Sequence, residues 1–167
     1  MLRRWLALLS LLFCSCQENA PLEVAQGVDL ERFQGKWFEI AKLPRSSQAG
    51  CTATTSSYTL KGEGELLVVN ECRRGVDGPL DRMAARAVVT EPDVPAKLSL
   101  NFGFAYGDYW IIELGQNYEY AVIGHPTRDY LWILSRTPKL DAEVLASVLE
   151  RAAARGFPVT LLDYTKH

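Results

Sequence analysis

Between Gly35 and about Arg136 the sequence repeats a single theme: short strand-like runs broken by Gly, Pro, Asn or Asp. The runs fall near 36–43, 52–60, 65–73, 81–90, 96–104, 109–114, 118–124 and 129–136. Eight runs with short connections predict an all-β fold, an eight-stranded antiparallel up-and-down meander of the barrel or sandwich class. On one run Leu98, Leu100 and Phe102 alternate with Lys97, Ser99 and Asn101, so a single face is apolar. Runs 109–114 and 129–136 are apolar on both faces and need a cover on the outside. Asp141 is placed to cap a helix reaching about Arg155, with Glu143 in its first turn. Val144, Leu145, Val148, Leu149 and Ala152 form its apolar stripe, and Gly156 stops it. Phe157–Tyr164 reads as a last short strand. A closed β-barrel with one C-terminal α-helix packed outside accommodates all of these elements.

Composition narrows the function classes. A chain of 167 residues fits one domain. Its 18 Lys+Arg against 20 Asp+Glu leave a net charge of −2 with no basic cluster, which argues against nucleic acid as a partner. Two histidines leave little room for a metal site or a His-based catalytic constellation, and no cofactor is implied. Neither His125 nor His167 lies in a nucleophile motif, and Gly62-x-Gly64 lacks the strand-to-helix setting of a phosphate loop. The sequence reads as a binding protein rather than an enzyme. An enzyme acting on a bound lipophile, or a structural or partner-binding protein without cargo, are the alternatives.

Cys51 and Cys72 flank the expected hairpin turn Lys61-Gly62-Glu63-Gly64 symmetrically, so they would face each other across paired strands and form a disulfide. The alternative is a pair of free thiols, one of them reactive.

The N-terminus reads as an address. Arg3 and Arg4 precede a short apolar run, Trp5 to Phe13, too short to span a bilayer. Leu12-Phe13-Cys14-Ser15-Cys16-Gln17 resembles the lipobox of bacterial lipoproteins, with small Ser15 before Cys16. The resemblance implies a signal peptide over 1–15, a lipidated tether over 16–27 beginning at Cys16, and a domain over 28–167. An ordinary secretory signal is the alternative. Gln17, where Asp would favour inner-membrane retention, points to the outer membrane.

Two further stretches carry a family resemblance. Asp29-Leu30-Glu31-Arg32-Phe33-Gln34-Gly35-Lys36-Trp37 contains a Gly-x-Trp at the entry to the first strand. Asp129-Tyr130-Leu131-Trp132-Ile133-Leu134-Ser135-Arg136 ends the eighth strand before the helix. Together they resemble the lipocalins, specifically the bacterial outer-membrane lipoprotein kind, over roughly Val28 to Asp163. The turn between strands six and seven departs from the family's frequent Thr-Asp-Tyr, reading Gly115-Gln116-Asn117. Trp37 would plug the closed end of the barrel, with Arg136 stacked on its indole.

An eight-stranded barrel holds one small ligand. Parity with Arg136 puts Leu134, Trp132 and Tyr130 inside; Leu98, Leu100, Phe102 and Tyr58 join them, and Tyr106 and His125 sit near the mouth. Glu39 is the main inward charge. The open end is rimmed by loops 44–50, 74–80, 105–108 and 125–128. The resemblance implies a fatty acid or lysophospholipid in the cup, its polar head at the rim near Tyr106, His125 or Arg128. It also implies a membrane partner through the lipid anchor and a role in envelope maintenance. Homodimerisation is left open.

Overall fold

A computed structural model describes residues 20–75, 77–103 and 106–167. The signal segment, the lipobox and Cys16 lie outside the described residues. The elements are α1 (Leu30–Phe33), β1 (Gly35–Lys42), β2 (Cys51–Gly62), β3 (Glu65–Arg74), β4 (Leu80–Val89), β5 (Lys97–Asn101), β6 (Tyr106–Leu114), β7 (Tyr120–Gly124), β8 (Leu131–Ser135), α2 (Ala142–Ala154) and β9 (Asp163–Tyr164). Strands β1 to β8 form an antiparallel meander in which β1 pairs with both β8 and β2, closing the barrel.

Period-two alternation separates two apolar cores. Inside the barrel lie Trp37, Tyr58, Leu66, Val68, Leu98, Ile111, Ile123 and Leu134. Outside, Ile112, Val122, Leu131 and Ile133 pack under Val148 and Ala152 of α2 and under Phe157. Here is the cover that the doubly apolar β6 and β8 demand. Asp141 caps α2 by accepting from the backbone N–H groups of Glu143 and Val144. Glu113 on β6 accepts from Arg151 and Arg155 of α2, fixing the helix to the wall.

The closed end is plugged as a unit. Asp29 caps the one-turn helix α1, which the sequence reading does not foresee. Trp37 donates its indole N–H to the carbonyl of Phe33 at 2.9 Å, and the two rings meet at 5.0 Å. Arg136 lies 3.7 Å over the Trp37 ring and donates to the carbonyls of Arg32, Phe33, Lys36 and Tyr118. Gly35 has φ of +93°, a left-handed conformation that L side chains rarely adopt, which accounts for the glycine two residues before Trp37.

Four expectations need correction. Residues 20–27, read as part of a polar tether, are docked: Leu22 is buried, Ala25 N–H donates to the Ile111 carbonyl, and Arg128 donates to the Ala20 carbonyl. Leu22, Val24 and Ala25 supply the apolar contacts that the polar average of the segment hides. The last strand is only β9, preceded by a 3₁₀ turn over Val159–Leu161. Strand β5 stops at Asn101, whose side chain accepts from Gly103 N–H where φ reaches +87°.

The fourth correction concerns the cysteines. They are joined, with Cα atoms 5.4 Å apart, but not by the symmetry argued above. Tyr58 pairs with Val68 and Leu60 with Leu66, so the hairpin centres on Glu63, and Cys51 pairs with Arg74 rather than Cys72. An irregularity between Thr52 and Thr55, with Ala53 at φ of +49°, brings the two sulfurs together.

Strands β1 and β2 pair directly only from Gly35 to Phe38. Beyond that, segment 163–167 fills the seam. Ala41 and Lys42 pair with Tyr164 and Asp163, Thr165 N–H donates to the Ile40 carbonyl, and Ala53 N–H donates to the Lys166 carbonyl.

Candidate functional site

Opposite the plug the barrel opens into a cavity of about 370 Å³, near the lower end of the usual range for ligand pockets. Of the residues singled out from sequence, Glu39, Leu100, Phe102, Tyr106, His125, Tyr130 and Trp132 line it. Tyr58, Leu98 and Leu134 do not; they are buried with Trp37 in the inner core. Arg128 does not line it either. It holds the backbone of Ala20, Pro126 and Arg155 on the outer side of the barrel. Its φ of +67° accompanies this outward course.

The cavity has two unlike walls. The side built by β5 to β8 and the residues flanking them contributes Leu100, Phe102, Tyr109, Tyr130 and Trp132, an apolar and aromatic surface. Tyr130 and Trp132 stack at 6.2 Å, and His125 meets Tyr130 edge-on at 5.4 Å. Strands β1 to β4 contribute Glu39, Thr54, Ser56, Asn70, Glu71, Arg74 and Asp81. The expectation that Glu39 is the main inward charge is therefore corrected. Arg74 and Asp81, at the mouth ends of β3 and β4, line the cavity where it opens to water, so burial does not exclude them there.

Most of these charges are satisfied. Glu39, 2% exposed, faces Lys42 at 3.2 Å and accepts from Thr165 and Gln48. Arg74 pairs with Asp81 and holds the carbonyls of Ser47 and Ala49. Arg45 is different. Its guanidinium lies 4.2 Å from the centre of the Tyr130 ring and 5.6 Å from that of Trp132, and among the described residues it makes no ion pair. No periodic signal marks Arg45, which precedes the 3₁₀ turn Ser46–Gln48 in a loop.

On the inner side of the cavity the hydroxyls of Tyr58 and Tyr109 meet at 2.5 Å. Burial pushes the Tyr58 phenol up to about 12 and that of Tyr109 well above its ordinary value, so both stay neutral at physiological pH. Ser56 donates to Asn70 Oδ1 at 2.7 Å. Sequence reasoning missed Tyr109, Thr54, Ser56 and Asn70. Asn70 carried a signal: it continues the inward series Leu66, Val68, Cys72 at period two.

A family model described as a lipocalin-like domain matches residues 28–167. The chain belongs to the bacterial lipocalins. It is 34% identical over 153 residues to the outer membrane lipoprotein Blc of Escherichia coli K12, covering 89% of this chain and 86% of Blc. It is equally 34% identical to temperature-induced lipocalin-1 of Arabidopsis thaliana, over 89% of this chain and 84% of that protein. Among solved structures, insecticyanin from the tobacco hornworm superposes with a TM-score of 0.67 at 23% identity, covering 91% of this chain and 86% of the other. Lipocalins are typically binding proteins for small hydrophobic ligands, and this one has the corresponding cup. No helix among the described residues is long and apolar enough to cross a membrane.

Proposed function

We propose that this lipocalin is a lipid-binding lipoprotein that holds a fatty acid or lysophospholipid in its cup, for storage or transport in envelope maintenance, without covalent chemistry. The observation that carries the reading is the union of an aromatic wall with a cation at the mouth that has no ion pair among the described residues. The acyl chain lies against Leu100, Phe102, Tyr109 and Trp132, while Arg45, over Tyr130 in a mouth that Tyr106 and His125 also line, receives the carboxylate or phosphate. Tyr106, 76% exposed, extends the apolar surface to the rim.

The anchor reading is compatible with this geometry. Lipidation at Cys16 would attach the domain to the outer membrane, and the Blc relatives are named as outer membrane lipoproteins. Ala20 is held by Arg128, in the loop between His125 and Tyr130 at the mouth. Four residues of extended chain span at most about 14 Å, so a lipid on Cys16 would keep the mouth beside the bilayer.

Native mass spectrometry of the detergent-released full chain, with organic extraction, tests the proposal. One fatty acid or lysophospholipid per chain is the expected result. An empty barrel that takes up no fluorescent fatty acid would overturn it in favour of a partner-binding lipoprotein.

A further inference from the structure

A plain alkyl chain entering tail-first would end against polar groups. Ser56 is in register with Trp37 on one side and Asn70 on the other, so the Ser56–Asn70 layer rests directly on the plug. Both residues line the cavity, as do Thr54 and Tyr109. Thr54 is only 3% exposed, and its Oγ1 has no hydrogen-bond partner among the described residues. A buried polar group without a partner is costly in native proteins, and of the two among the described residues, Thr54 Oγ1 and Trp110 Nε1, only Thr54 belongs to the cavity lining. Asn70 uses its carbonyl oxygen to accept from Ser56, which leaves its amide N–H groups to face the cavity. The Tyr58 and Tyr109 hydroxyls are bonded to each other, and Tyr58 also to Ser56, so the phenols are committed within the protein.

We infer that this floor is a subsite for an uncharged oxygen at the inner end of the ligand, a hydroxyl or carbonyl, so that the cargo is an oxygenated acyl chain polar at both ends. The inference rests on the lipid-binding reading and refines it. The available floor groups are donors: the Thr54 hydroxyl and the Asn70 amide. They match an oxygen acceptor, and Thr54 can also accept from a ligand hydroxyl. An anion is less well served there. The nearby cation, Lys42, is committed to Glu39 at 3.2 Å, and both side chains are buried. Arg45 at the mouth remains the seat for the charge. The two walls thus match the two kinds of surface on one ligand, a chain along β5 to β8 and an oxygen at β2 and β3.

Displacement of a fluorescent fatty acid from the full-length protein tests this. The competitors are saturated fatty acids from dodecanoate to hexadecanoate, each beside its ω-hydroxy counterpart. The readout is the ratio of the two affinities within each protein. In an apolar cup the added hydroxyl lowers affinity by tenfold or more at every length, roughly the loss expected for burying it unpaired. The wild type is expected to bind at least one ω-hydroxy acid as tightly as its parent. In Thr54→Val, an isosteric change that keeps the fold, and in Asn70→Leu, that ratio should fall about tenfold. A parent acid preferred by the same factor in wild type and variants, at every length, overturns the floor subsite and leaves lipid binding standing. Failure of parent and hydroxy acids alike to displace the probe overturns both.

Discussion

At the closed end, Arg136 makes hydrogen bonds to four backbone carbonyls and lies flat on Trp37, and the Trp37 N–H is itself taken by Phe33. At the open end, Arg45 also lies over aromatic rings, but it makes no ion pair among the described residues. Both ends set an arginine against an indole ring. One arginine is used up by the protein; the other is held ready. The contrast teaches that the same pairing of residue types is structural where its donors are filled and receptive where they are not.

Three substitutions break or sharpen that contrast. The largest effect belongs to the plug. Trp37→Ala should destabilise by about 3–5 kcal/mol, as large-to-small aromatic changes in cores do. Unchanged thermal unfolding would remove Trp37 from its closing role. A middle-sized effect belongs to the flank. Burial alone would raise the Glu113 carboxyl, but bonds from Arg151, Arg155 and Tyr120 outweigh it and hold the group below its ordinary 4.5. A lowered folded-state value means the stabilisation is complete above the unfolded value and disappears as pH falls through the folded one. Glu113→Gln should therefore cost about 1–2 kcal/mol at neutral pH, with the gap to wild type closing in acid. Denaturant titrations at neutral pH and near pH 3 measure both. A gap that persists in acid would mean that shape, not charge, docks α2.

The smallest stability effect belongs to the mouth. Arg45→Ala should shift unfolding by no more than about 0.5 kcal/mol. It should nonetheless weaken an anionic lipophile about five- to tenfold while sparing a neutral fatty alcohol. Calorimetry with the matched acid and alcohol reads this. Equal losses for both would make Arg45 a packing residue, and the two ends would then differ less than their geometry implies.

What was legible in the sequence follows the reach of period two. Leu134, Trp132 and Tyr130 count back from Arg136 without interruption, and Trp132 and Tyr130 reach the cavity while Leu134 packs beneath it. Asp141 announces α2 by local chemistry alone. Reading failed where an irregularity or a loop breaks the count. The left-handed Ala53 shifts β2, so Thr54 and the true register of Cys51 were hidden. β6 is apolar on both faces, so nothing in its pattern chose Tyr109 over its neighbours. Arg45 lies in a loop with no period at all. Residues 20–27 were misread because a few buried apolar side chains among polar ones dock a segment that its average composition would release.

Segment 163–167 sets the order in which the molecule can be completed. Ala41, in the first strand, finds its seam partner at Tyr164, and Ala53 finds its acceptor at Lys166. Until that segment arrives, the upper parts of β1 and β2 are bare strand edges with unpaired backbone groups, the condition under which sheets join to one another. Completion of the seam therefore waits on the C-terminal segment, in a topology whose long-range pairing already makes folding slow. The hazard for this barrel is concentrated in that interval, and its duration is governed by residues far in sequence from the strands they protect.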